Sequence, residues 1–70
     1  MKRAVSRSEV VAVEIDGCVY EGEFRVESKV VIVEAPFGSG STHLGSQAPV
    51  SIARMLLREI VAGAITRGDL

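Results

Sequence analysis

The stretch Val10-Val11-Ala12-Val13-Glu14-Ile15-Asp16-Gly17-Cys18-Val19-Tyr20-Glu21-Gly22-Glu23-Phe24-Arg25-Val26 decides the fold. Asp16-Gly17 supplies, at low steric cost, the two positive-φ residues that a two-residue type I′ turn needs. That turn sets a register in which Ile15 faces Cys18, Val13 faces Tyr20 and Val11 faces Gly22, so the apolar partners share one side of a hairpin. Along the second strand, Cys18, Tyr20, Gly22, Phe24 and Val26 point one way and Val19, Glu21, Glu23, Arg25 and Glu27 the other. Strict alternation with one apolar and one charged face is the mark of a strand packed on one side only.

Working outward, a tight connection at Ser28-Lys29 places Val26 opposite Val31, Phe24 opposite Val33 and Gly22 opposite Ala35, extending the apolar face over a third strand. Ala35-Pro36 ends that strand, because proline cannot donate to a ladder and restricts the residue before it. The Gly/Ser-rich segment Phe37 to Ser46 is long for a structureless connection. It reads either as a loop or as a turn at Ser39-Gly40 followed by a short fourth strand over Ser41 to Leu44. Pro49 suits the first turn of a helix, capped by Ser46 or a neighbour, and Val50 to about Thr66 continues it until Gly68.

The expected fold is therefore α+β: a three-stranded antiparallel meander, with a possible short fourth strand, packed on one C-terminal helix in the order βββα. The expected organisation is a flexible basic arm over residues 1–8, one domain over 9–67 and a tail over 68–70.

A chain of 70 residues buries only about 60% of the surface its unfolded form exposes, so its stability is marginal without further support. The lone Cys18 cannot form an intrachain disulfide, and with His43 it makes too few ligands for zinc. Self-association is the support that remains. Two sequence features point the same way. Ile52, Ala53, Leu56, Leu57, Ile60, Val61 and Ala64 form an apolar arc wider than a three-stranded sheet needs. On the charged side of the sheet, Val10, Ala12, Val30 and Ile32 also point outward, toward strands read as edges. The expected self-association residues are Val10, Ala12, Val30, Ile32, Ile52 and Val61, in a homodimer.

Charge is unevenly divided. Residues 9–34 hold seven acids against two bases, a net of −5, whereas the rest holds six bases against two acids, a net of +4. The strands carry acid and the arm and helix carry base.

The βββα layout resembles in outline the integrase N-terminal and plant AP2-type domains, whose sheets enter the DNA major groove. The resemblance implies nucleic-acid contact through the sheet, yet Glu21, Glu23 and Glu27 with only Arg25 on that face repel phosphate. Nucleic-acid contact through Lys2, Arg3, Arg7, Arg54 and Arg58 is the alternative reading.

Candidate chemistry is thin. The glycine-rich segment opened by Gly38-Ser39-Gly40 ends at Gly45, which leads to Ser46-Gln47-Ala48-Pro49 without the lysine that a phosphate loop places straight after its last glycine. His43 has serines around it but no nucleophile elbow, and Cys18 reads as a small core residue. No catalytic, cofactor or metal residue is assigned. The absence of a signal peptide or spanning segment and the single free cysteine point to a cytoplasmic, non-membrane protein. The sequence reading is thus a non-enzymatic interaction module with a likeness of itself, or another protein, as partner.

Overall fold

The computed structural model describes residues 8–70. Four strands, β1 (Glu9–Ile15), β2 (Cys18–Glu27), β3 (Val30–Ala35) and β4 (Gly38–His43), precede one helix, α1 (Pro49–Arg67). The strands pair antiparallel with their nearest neighbours in chain order, β1-β2-β3-β4, and α1 lies across one face of the sheet. The α+β reading and its fourth strand hold.

The first hairpin has the register expected from Asp16-Gly17: Ile15 faces Cys18, Val13 faces Tyr20 and Val11 faces Gly22. Both turn residues take positive φ, 53° at Asp16 and 82° at Gly17. The second hairpin turns on Ser28 and Lys29, again with both φ values positive, 50° and 63°. Val26 faces Val31 and Phe24 faces Val33. A type I′ turn built from two side-chain-bearing residues is used here because its twist matches the strands, at a cost that glycine would avoid.

The third turn differs from the expectation. It falls on Pro36 and Phe37, not on Ser39-Gly40, and the fourth strand begins at Gly38. Pro36 has the φ that the second position of a tight turn requires. Phe37 then reaches the Tyr20 ring edge to face, with centroids 6.1 Å apart at 81°, a contact that fastens this turn to the central strand.

Val11, Val13, Phe24, Val31 and Val33 from the sheet and Ile52, Ala53, Leu56, Leu57 and Val61 from α1 make the core. Gly22 on the central strand lets the helix close down: a Cβ there would stand 3.2 Å from Leu57 Cδ1 and 3.0 Å from the Glu34 carbonyl. Leu57 is fully buried as a result. Gly38 and Gly40 do the same under Ile60, whose methyl carbons lie 3.0 and 3.7 Å from their missing Cβ atoms.

This close fit corrects two readings. The wide arc of α1 is filled by its own sheet, since Leu56 and Ile60 extend over the glycines of β4. Ile52 and Val61 are 4% and 0% exposed and so belong to the core of the chain itself, not to a surface. Cys18 departs from its reading as well: it is exposed, because burial on the helix side of β1 and β2 fades toward the first turn, through half-buried Tyr20 and Ile15.

Ala48 stands at the N-cap of α1 without a side-chain cap, and Pro49 follows it. Ser51 and Ile52 donate their N–H groups to the Ala48 carbonyl at 3.1 and 3.3 Å, so Ser46 does not serve as the cap. Gly68 ends the helix in the left-handed region at φ 82°. The Gly68 N–H donates to the Ile65 carbonyl and the Asp69 N–H to that of Ala64, at 3.1 and 2.8 Å, which satisfies the last free carbonyls in the manner of a Schellman motif.

Candidate interaction site

Three surfaces follow from this architecture. They are an open strand edge, an acidic sheet face and a basic flank of the helix.

The edge is β4. Leu44 donates its N–H to the Lys29 carbonyl at 2.8 Å, in the same register that pairs Thr42 with Val31, Gly40 with Val33 and Gly38 with Ala35. In an antiparallel ladder, hydrogen-bonded pairs alternate with pairs whose N–H and C=O groups turn away. Thr42, Gly40 and Gly38 therefore spend their backbone groups on β3, while Ser39, Ser41 and His43 aim theirs outward. The register runs unbroken from Gly38 to His43, without a bulge, a proline or a charged residue. Lysines, prolines and bulges are the usual means by which proteins block such an edge. Beside it, α1 forms the other wall of a groove of about 380 Å³ lined by Ser39, Ser41, Leu56, Ile60, Gly63 and Arg67. Arg67 spans one end, donating to the Phe37 carbonyl at 3.4 Å and to Asp69 at 3.0 Å.

The sheet face away from α1 carries Glu14, Glu21, Glu23, Glu27 and Glu34 against Arg25. Arg25 holds Glu27 at 2.9 Å and Glu34 at 3.6 Å. The Glu27 hydrogen bond first, and the charges of Glu27 and Glu34 after it, raise its pKa above the ordinary guanidinium value. Among the described residues, Glu14, Glu21 and Glu23 enter no ion pair. A shallow depression of about 360 Å³ is lined here by Val10, Glu21, Glu23, Glu34 and Pro36 with Gly22 and Ala35.

Of the expected self-association residues, Val10 is 66% exposed and Ala12 is exposed on β1, a true edge strand. Val30 and Ile32 are half-buried on the same acidic face, but β3 is an interior strand because β4 covers its far side. The sequence left this edge as one of two readings, a loop or a short fourth strand, because Gly38-Ser39-Gly40-Ser41 has no apolar alternation to reveal a strand. The free-edge signal that was legible is negative: a six-residue run with no charge.

Arg54 and Arg58 are exposed on α1. Lys2, Arg3 and Arg7, their expected companions in nucleic-acid contact, lie outside the described residues. Glu59 and Arg67 line the β4 groove, whereas helical spacing puts Arg54, Arg58 and Ile65 on the opposite flank.

His43 is exposed at the end of β4, in the same rung as Glu27 but separated from it by Val30. Among the described residues no group of three or more His, Cys, Asp or Glu side chains is placed to hold a metal ion. The Tyr20 phenol is held above its ordinary pKa, chiefly by partial burial and then by the neighbouring Cys18 and Asp16. No described helix is long and apolar enough to cross a membrane.

Comparison with protein-family models, with curated proteins and with solved structures finds no match to this chain. The functional reading therefore rests on the surfaces themselves.

Proposed function

We propose that the chain is a non-enzymatic protein-interaction module that self-associates by pairing β4 with β4 of a second copy. The observation that carries the reading is the uncharged, unbroken β4 edge, with the backbone groups of Ser39, Ser41 and His43 turned outward. A two-fold axis at Ser41 sets that residue opposite its counterpart and Ser39 opposite the counterpart of His43. Each outward residue then both gives and accepts a hydrogen bond, as an antiparallel ladder requires. The four-stranded sheet becomes a continuous sheet of twice that width, and the edge liability at β4 disappears.

The alternative, a face-to-face dimer through the open sheet, sets Glu21, Glu23 and Glu34 against their own counterparts, which like-charge repulsion opposes. The chain's small size adds a reason to associate, since its core alone is modest. An exposed free thiol at Cys18 suits a reducing, cytoplasmic setting.

Ser41→Pro tests the reading. Its N–H is not used within the chain, so proline at this edge position leaves the β3–β4 ladder intact and removes the central donor of the dimer. A folded monomer is the expected product at moderate salt, observed by sedimentation together with an unchanged far-ultraviolet circular dichroism spectrum.

A further inference from the structure

The charge division noted in the sequence becomes a spatial one in the fold. The acidic residues face outward from the sheet and two arginines stand on the helix that covers its other side. At about 100° per residue, Arg54, Ile65, Arg58, Ser51 and Ala62 fall in that order within an arc of about 80° on α1, with Met55 at its margin toward Thr42 and His43. Met55 and Ile65 are 47% and 44% exposed. Glu59 lies outside the arc, on the β4 side. The arc is thus basic, with Ile65, Ala62 and the small polar Ser51 between and beside the arginines, and has no acid in it.

The open sheet face is its complement. It mixes exposed Val10 and Val19 with Glu14, Glu21 and Glu23, none of which has an ion pair among the described residues. Arg54 and Arg58 likewise enter no ion pair among the described residues. A four-stranded sheet covered by a helix on one face only leaves a layer position open. A helix flank that carries two arginines around Ile65 fills such a position and neutralises carboxylates that have no ion pair among the described residues.

We infer that the acidic sheet face of one copy receives the Arg54–Arg58 flank of α1 from another. The occupant is a second copy because this chain itself carries both complementary halves. The contact is heterologous, joining two different surfaces, so it propagates from copy to copy instead of closing on itself as a two-fold dimer does. It extends the self-association proposed above but rests on different residues, and β4 pairing takes no part in it. Exposed charge pairs are screened by salt, so this contact is salt-sensitive, whereas β4 pairing through backbone hydrogen bonds is not.

Two charge-reversed forms of the full chain test it, Glu21→Arg with Glu23→Arg and Arg54→Glu with Arg58→Glu, each made in the Ser41→Pro background. Light scattering and sedimentation at low salt read the result. The Ser41→Pro protein is expected to retain association that weakens about tenfold between low and moderate salt. Each reversed form alone is expected to be monomeric, and an equimolar mixture of the two to associate again, because each then offers the surface the other needs. Far-ultraviolet circular dichroism of each variant alone checks that it is folded before mixing.

If Ser41→Pro is monomeric at low salt and mixing the reversed forms restores nothing, the inference is overturned while β4 pairing stands. If Ser41→Pro associates as the parent does but the charge reversals abolish it, β4 pairing fails and the face-to-helix contact stands.

Discussion

Ser41 lies opposite Ile32 across the β3–β4 ladder, in a pair whose backbone groups do not bond to one another. The two residues share the open face, but their main-chain groups look in opposite directions: those of Ile32 inward to β2, those of Ser41 out to solvent. The outermost strand of this sheet thus presents donors and acceptors with nothing in its sequence to block them.

Ile32 and Ile52 respond differently to a charge. Ile52 is buried in the core, so Ile52→Asp sets a carboxylate among aliphatic side chains and costs on the order of 4 kcal/mol, most of the stability of a small domain. Ile32→Asp stands on the open face across from Arg25 and costs about 1 kcal/mol. Urea denaturation of the two variants checks this, with Ile52→Asp expected to be unfolded without denaturant.

Two glycines inside regular elements, Gly22 in β2 and Gly63 in α1, have opposite roles. A Cβ at Gly22 meets the Glu34 carbonyl at 3.0 Å and buried Leu57 at 3.2 Å, and backbone cannot yield, so Gly22→Ala destabilises by about 1–3 kcal/mol. At Gly63 the nearest obstacle is the mobile end of Arg67, 3.3 Å away. Gly63→Ala therefore gains about 0.5–1 kcal/mol of helix propensity. Thermal melts of the two variants move in opposite directions.

The Ser28-Lys29 turn holds both residues at positive φ. Replacing them by Asn and Gly, the pair suited to a type I′ turn, raises stability by about 1 kcal/mol, since glycine relieves the left-handed strain at Lys29. The midpoint of chemical denaturation reads the gain, and its slope is expected to stay constant.

Tyr20 has its phenol pKa raised by partial burial, with Cys18 and Asp16 adding to the effect. The neutral phenol is thus favoured by the fold. Its contribution to stability is complete below the unfolded value of 10.0 and is lost as pH rises through the higher folded value. Absorbance titration near 295 nm is expected to show ionisation later in the folded protein than in the protein unfolded by urea.

Much of this fold was legible in the sequence. Asp16-Gly17 and the alternation around it determine three strands and their register, because a one-residue slip there would turn Val11, Val13 and Phe24 to solvent. β4 was legible only in part: its glycines and serines pair by backbone alone and leave no apolar rhythm. That one uncertainty misdirected the reading of α1. The arc from Ile52 to Ala64 looked too wide for three strands, and it is the bare glycines of β4 under Ile60 that absorb the surplus. Cys18 shared the apolar side in the alternation, yet burial fades along the hairpin before reaching it, a distance effect that period-two patterns do not contain.

The site was legible in its parts more than in its geometry. The charged sheet face was legible from the alternation of Glu21, Glu23, Arg25 and Glu27, but only the pairing order makes β4 an edge and sets Arg54 and Arg58 on the flank of α1 away from it.

The most direct measurement is sedimentation equilibrium of the full chain and of Ser41→Pro, over a wide concentration range and at moderate salt, where charge contacts between surfaces are screened. Pairing through β4 predicts a reversible dimer for the parent and a folded monomer for the variant. A parent that stays monomeric at every concentration, or a Ser41→Pro protein that dimerises as tightly as the parent, contradicts it.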